Sequence, residues 1–154
     1  MEKPKTTLAK HPIFKGLKRN YIELIAERSS TMSFNAGDVL FREGDEANQF
    51  FIIQDGMVTL EAVLSPDRDP IIIQSVGEGD VLGWSWLFPP HRRRFQARAV
   101  TSTKAIVVDG KFLRKQCEKD HDLGYELMKR FALLIEQRLR AVRLQNPDMY
   151  VVHA

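Results

Sequence analysis

The chain has 154 residues, 44% apolar and 28% charged, a balance that supports a buried core and excludes a disordered polymer. Its 23 Lys and Arg against 20 Asp and Glu leave a net charge of +3, too little by itself to argue for a nucleic-acid partner. The single cysteine, Cys117, excludes an internal disulfide and every multi-cysteine zinc site, and it fits a reducing compartment.

No apolar run approaches the ~20 residues that span a bilayer. The charged start Met1-Glu-Lys-Pro-Lys5 has no apolar stretch behind it, so no signal peptide is expected. A cytoplasmic protein without membrane contact follows as the expectation. Residues 1–10 read as an N-terminal tail, 11–146 as one domain and 147–154 as a C-terminal tail.

Taken in chain order, residues His11 to Ser30 carry a helical pattern, with Leu17, Tyr21, Leu24 and Ile25 at three- and four-residue steps. From Thr31 to Asp109 short runs of Val, Ile, Phe and Thr replace it, and six of the nine glycines fall there. That punctuation predicts an antiparallel β barrel or sandwich. Phe50 to Ile53, the turn Gln54-Asp55-Gly56 and Met57 to Val63 read as a hairpin, because Asp-Gly tolerates positive φ. Ile71 to Gln74 and Val81-Leu82 read as a second strand pair around residues 77–80. Phe95, Ala97 and Ala99 alternate with Gln96 and Arg98 at strand period, and Lys104 to Val108 closes the β zone.

The helical period then returns. Asp109 is placed to cap a helix over Lys111 to Lys119, and Asp120 or Asp122 a longer one ending near Asn146-Pro147. The long helix carries two apolar stripes. One is Met128, Ile135, Leu139 and Val142; the other is Leu127, Phe131, Leu134 and Ala141. Two stripes predict burial on two sides, with the first as the seam of a homodimer; the alternative is a single wide core face.

The spacing Leu40-x-x-x-Gly44-Asp45-x-Ala47-x-x-Phe50-Phe-Ile-Ile53-x-x-Gly56, after Phe34-x-Ala-Gly37-Asp-Val-Leu-Phe41, resembles the cyclic-nucleotide-binding domain family, the ligand domain of catabolite-activator-type regulators. The resemblance covers about residues 11 to 146, with Phe41 where the family usually has a smaller residue. It implies a mainly β fold: an antiparallel, jelly-roll-like β roll (a double-stranded β-helix) of eight strands, with one N-terminal and two C-terminal helices. It also implies a site in the segment from Gly83 to Phe95, where a short helix starts and an arginine holds a cyclic phosphate.

The ligand-binding candidates there are Gly83, Trp84, Ser85, Arg92, Arg93 and Arg94. Counting back from Ala99 selects Arg93, counting forward from Gly83 selects Arg94, and one inserted residue would bring in Arg92. Trp84 stands where the family has a ribose-binding Glu, and no Ser or Thr follows any of the three arginines. The long helix from Asp122 to Asn146 also lacks the Ser or Thr that meets adenine in transcriptional members. Weak binding of cyclic AMP is expected, since a lost charged hydrogen bond costs about 1.5–3 kcal/mol. Trp84 and Trp86 either stack a ring or fill the space under the loop.

No catalytic motif emerges, and His11, His91, His121 and His153 are too scattered for a metal site. The expected function is a non-catalytic regulatory or sensor domain. It would take cyclic AMP, another cyclic nucleotide or a related anion, with no cofactor or metal and a second copy of the chain as partner. The chain ends at Ala154, so no recognition helix and no direct DNA binding are expected. The alternatives are a ligand-free dimerisation module of the same fold, or the ligand domain of a shortened transcription regulator.

Overall fold

The computed structural model describes residues 4–145, with side-chain surroundings described from 5 to 141. Helices α1 (Pro4–Lys10) and α2 (Arg19–Glu27) precede eight strands, and helices α3 (Gly110–Lys119) and α4 (His121–Gln145) follow them. The strands are β1 (Ser29–Phe34), β2 (Val39–Phe41), β3 (Gln49–Asp55), β4 (Val58–Ala62), β5 (Ile71–Val76), β6 (Val81–Leu82), β7 (Gln96–Ala99) and β8 (Thr103–Asp109). A 3-10 turn, Trp84–Trp86, separates β6 from β7.

Two four-stranded antiparallel sheets form the roll, in the orders β1-β8-β3-β6 and β2-β7-β4-β5. The expected β3–β4 hairpin is therefore corrected: β3 pairs β8 and β6, whereas β4 pairs β5 and β7. The expected pairing of β5 with β6 is corrected in the same way, since they lie in different sheets. Gly56, at φ 104°, turns the corner between sheets where an added Cβ would lie 2.5 Å from the Ser102 carbonyl oxygen. The Asp-Gly turn reverses the chain, but the close approach of residues 102–103 sends it across the roll.

The sheet containing β3 is covered on both faces, which explains its unbroken apolar run. Phe50 and Ile52, with Ile106 and Val108 of β8, face a cluster built with the helices. Phe51 and Ile53, with Ala105 and Val107, face the second sheet. The result is three layers: helices, sheet, sheet.

Both helix caps follow the sequence. Asp109 accepts from the Phe112 N–H at 3.0 Å, and Asp120, rather than Asp122, accepts from the Leu123 N–H at 3.2 Å. The first ten residues differ from the expected tail. Residues 4–10 form α1, whose Leu8 is buried in the helical cluster, so two helices precede the roll. The expected tail 147–154 lies outside the described residues.

On α4, Leu127 and Phe131 are buried in this cluster, while Met128 and Leu139 are exposed. The helix has one face spent on its own domain and another uncovered. The Val142 side chain lies outside the described residues. No helix among the described residues is long and apolar enough to cross a membrane.

Candidate functional site

The segment after β6 folds back on the chain entering β3. The Gly44 N–H donates to the Arg93 carbonyl and the Arg93 N–H to the Asp45 carbonyl, both at 2.8 Å. The Ala47 N–H donates to the His91 carbonyl at 2.8 Å. This ladder imposes strand alternation on the three arginines. Arg92 points outward, 3.9 Å from Glu46, and does not line the cavity. Arg93 points inward and is 5% exposed. Arg94 is exposed at the rim.

The cavity has a volume of about 410 Å³, within the range of small-molecule sites. Gly83, Trp84, Ser85, Arg93 and Arg94 line one part of it, and Ile135, Arg138 and Leu139 of α4 line another. The site candidates other than Arg92 thus meet two members of the expected dimer stripe at a single cavity. Phe41, Leu82 and Phe95 give its wall an apolar character. No Asp or Glu among the described residues lines it.

The Arg93 guanidinium is held by backbone and ring. Nη1 donates to the Gly83 carbonyl at 3.0 Å, Nη2 donates to the Gln49 carbonyl at 2.6 Å, and the Phe41 ring centre lies 4.2 Å away. Its Nε is buried without a partner. Among the described residues no carboxylate forms an ion pair with it. Burial pushes its pKa down to about 10, against a smaller opposing effect of Asp45, so it remains a cation at neutral pH. Phe41, the departure from the family's small residue, is the face on which this cation rests.

Gly83 makes the arrangement sterically feasible. At φ 92° it takes a left-handed conformation, and an added Cβ would lie 2.7 Å from Arg93 Nη1.

The two tryptophans have separate roles. Trp86 is fully buried, stacked on Phe50 at 5.2 Å and 25° and set edge-on to Phe131 at 5.4 Å. It packs under the loop and joins the segment from Gly83 to Phe95 to β3 and α4. Trp84 is half-buried on the cavity wall, and its Nε1 donates to the Val81 carbonyl at 3.2 Å. Arg114 of α3 fastens the same segment from behind, its Nη1 donating to the Trp86 carbonyl at 2.6 Å and the Ala47 carbonyl at 3.1 Å.

Arg138 is the cavity residue that sequence reasoning missed. Its signal was available: it falls three residues after Ile135, one turn further along the same helix face. Among the described residues no group of three or more His, Cys, Asp or Glu could hold a metal ion.

The sequence profile of the cyclic nucleotide-binding domain matches residues 31–120. The chain belongs to this family. Its curated relatives include a CRP-like cAMP-activated global transcriptional regulator of Mycobacterium tuberculosis, 25% identical over 142 residues, covering 92% of this chain and 61% of the relative. They also include a cAMP-dependent protein kinase regulatory subunit of Schizosaccharomyces pombe, 29% identical over 98 residues, covering 64% of this chain and 23% of the subunit. A solved structure of a candidate cyclic nucleotide-binding protein from Geobacter metallireducens superposes with a TM-score of 0.80 at 27% identity. It covers 90% of this chain and 99% of that one. The chain spans about three fifths of the length of the mycobacterial regulator.

The different burial of the two indoles predicts different costs of removal. Trp86→Ala should destabilise the fold by about 3–5 kcal/mol in urea unfolding, the usual cost of emptying a buried indole site. Trp84→Ala should cost less than half of that, because its ring is already partly in solvent. Equal losses would mean that Trp84 is core rather than cavity wall.

Proposed function

We propose that this domain is a non-catalytic sensor that takes a cyclic nucleotide in the cavity beside Arg93, without a metal or cofactor, and works as a homodimer in the cytoplasm. The observation that carries the reading is Arg93: a guanidinium 5% exposed, lining a cavity that contains no carboxylate among the described residues. A buried cation is stabilised by an anion that can accept charge-assisted hydrogen bonds, and a phosphodiester supplies that charge. Membership of the family supports a cyclic nucleotide as the source of the phosphate. The mycobacterial and yeast relatives are a cAMP-activated regulator and a cAMP-dependent kinase subunit, which supports a regulatory rather than catalytic role.

Ribose recognition is the weak element of this reading's site. Trp84 presents a ring and an N–H already committed to Val81, so it offers no acceptor to a 2′-hydroxyl. Cyclic AMP should accordingly bind with a dissociation constant of roughly 10 μM or poorer. Calorimetry with cyclic AMP and its 2′-deoxy analogue checks this. The two should differ by less than about threefold, whereas a large loss on removing the hydroxyl would mean that another residue carries ribose recognition.

The homodimer rests on α4, where Met128 and Leu139 are exposed and Ile135 is half-buried, while the opposite stripe is occupied by the domain's own core. Ile135 and Leu139 also line the cavity, so Met128 is the cleanest position for a test. Met128→Asp should convert a dimer in sedimentation equilibrium to a folded monomer with a nearly unchanged unfolding midpoint. A wild type already monomeric at high micromolar concentration would contradict the seam.

A further inference from the structure

We infer that Arg138 selects the base of the ligand, and that the site prefers a cyclic nucleotide with a 6-oxo purine, such as cyclic GMP, over cyclic AMP. The inference rests on the cyclic-nucleotide reading above and names the base which that reading leaves open.

Arg138 stands on the α4 wall of the cavity, together with Ile135 and Leu139. Its Nη2 donates to the Val81 carbonyl at 3.1 Å, and its guanidinium carbon lies 5.4 Å from the Trp84 ring centre. The Trp84 Nε1 donates to that same carbonyl, so one backbone oxygen holds both side chains at the wall. Among the described residues no other hydrogen bond and no ion pair engages Arg138. Asp80, whose charge acts on it, is itself engaged by the Gly77 N–H at 2.9 Å. The remaining guanidinium donors are therefore free for a ligand.

The phosphate seat at Arg93 lies on the roll side of the cavity, so the rest of a nucleotide extends toward the wall that α4 provides. There Ile135 and Leu139 offer apolar contact, Trp84 offers a ring face, and Arg138 is the polar side chain that α4 contributes. A guanidinium has only donors. It matches the N7 and O6 acceptors of a guanine edge bidentately, whereas adenine presents the N6 amino group, a donor that a guanidinium cannot accept. Gln74 and Ser85, the uncharged polar side chains of the lining, can both donate and accept and so do not discriminate. Arg94 is a further guanidinium of the lining but stands exposed at the rim, so the base preference of the α4 wall falls to Arg138.

Calorimetric titrations of the protein with cyclic GMP, cyclic IMP and cyclic AMP test the assignment. Cyclic IMP keeps O6 and N7 but lacks the 2-amino group. Cyclic GMP and cyclic IMP should both bind about tenfold more tightly than cyclic AMP. In Arg138→Gln the amide can pair with adenine N6 and N7, and the preference should turn toward cyclic AMP. Weakening of all three ligands alike in that variant would mean a merely structural Arg138 and would overturn the assignment. Wild-type binding of cyclic AMP as tight as that of cyclic GMP would also overturn it, while leaving the anion site at Arg93 standing. No binding of any of the three at millimolar concentration would remove the cyclic-nucleotide reading itself, and this inference with it.

Discussion

A guanidinium placed in a protein interior without a facing carboxylate costs several kcal/mol of desolvation after relaxation, and the surroundings of Arg93 are organised to meet that cost. Two carbonyls and one aromatic face do so. Each depends on a separate piece of local structure. Gly83 takes a positive φ beside the guanidinium, Gln49 starts β3, and Phe41 ends β2 beneath the cation. The backbone ladder between residues 44–47 and 91–93 turns Arg93 inward in place of Arg92. These contacts satisfy donors without neutralising the charge, so an anion in the cavity adds what the protein has withheld.

The cavity is also tied mechanically to the helices. Trp86 follows Trp84 by two residues and is wedged between Phe50 of the sheet and Phe131 of α4. Arg114 of α3 grips the carbonyl of the same residue. On its other side α4 returns to the cavity through Ile135, Arg138 and Leu139, the first and last of which also belong to the stripe proposed as the dimer seam. A ligand touching Arg138 would therefore bear on the same helix that carries the proposed dimer seam. In the proposed dimer, ligand cavity and subunit contact would share this one helix, so that occupancy could bias assembly geometry.

The fold was largely legible because its signals are local. Glycine-led turns and a switch in apolar period from about 3.6 to 2 and back mark the roll, and Asp109 caps α3 where a sequence rule puts it. Strand pairing was less legible. Asp55-Gly56 specifies a reversal, but whether β4 lies beside β3 or across the roll is decided by the long-range pairing of β3 with β8. The helix at residues 4–10 has too few residues to show a period, and its single anchor, Leu8, carries no signal alone. At the site, three consecutive arginines are chemically identical in the sequence. Only the hydrogen bonds from residues 44–47 separate the inward one from its neighbours. Arg138 is one of several arginines on α4, and only the structure places it against Trp84 and the Val81 carbonyl.

The central claim is that Arg93 is kept cationic and buried for a ligand rather than for the fold. It is tested most directly by titrating wild type and Arg93→Gln with cyclic GMP in parallel with their urea unfolding. Gln retains a donor for one of the two carbonyls while removing the charge. The affinity of the variant should be lower by more than tenfold, with an unfolding free energy within about 1–2 kcal/mol of wild type. Unchanged affinity in a folded variant would contradict it.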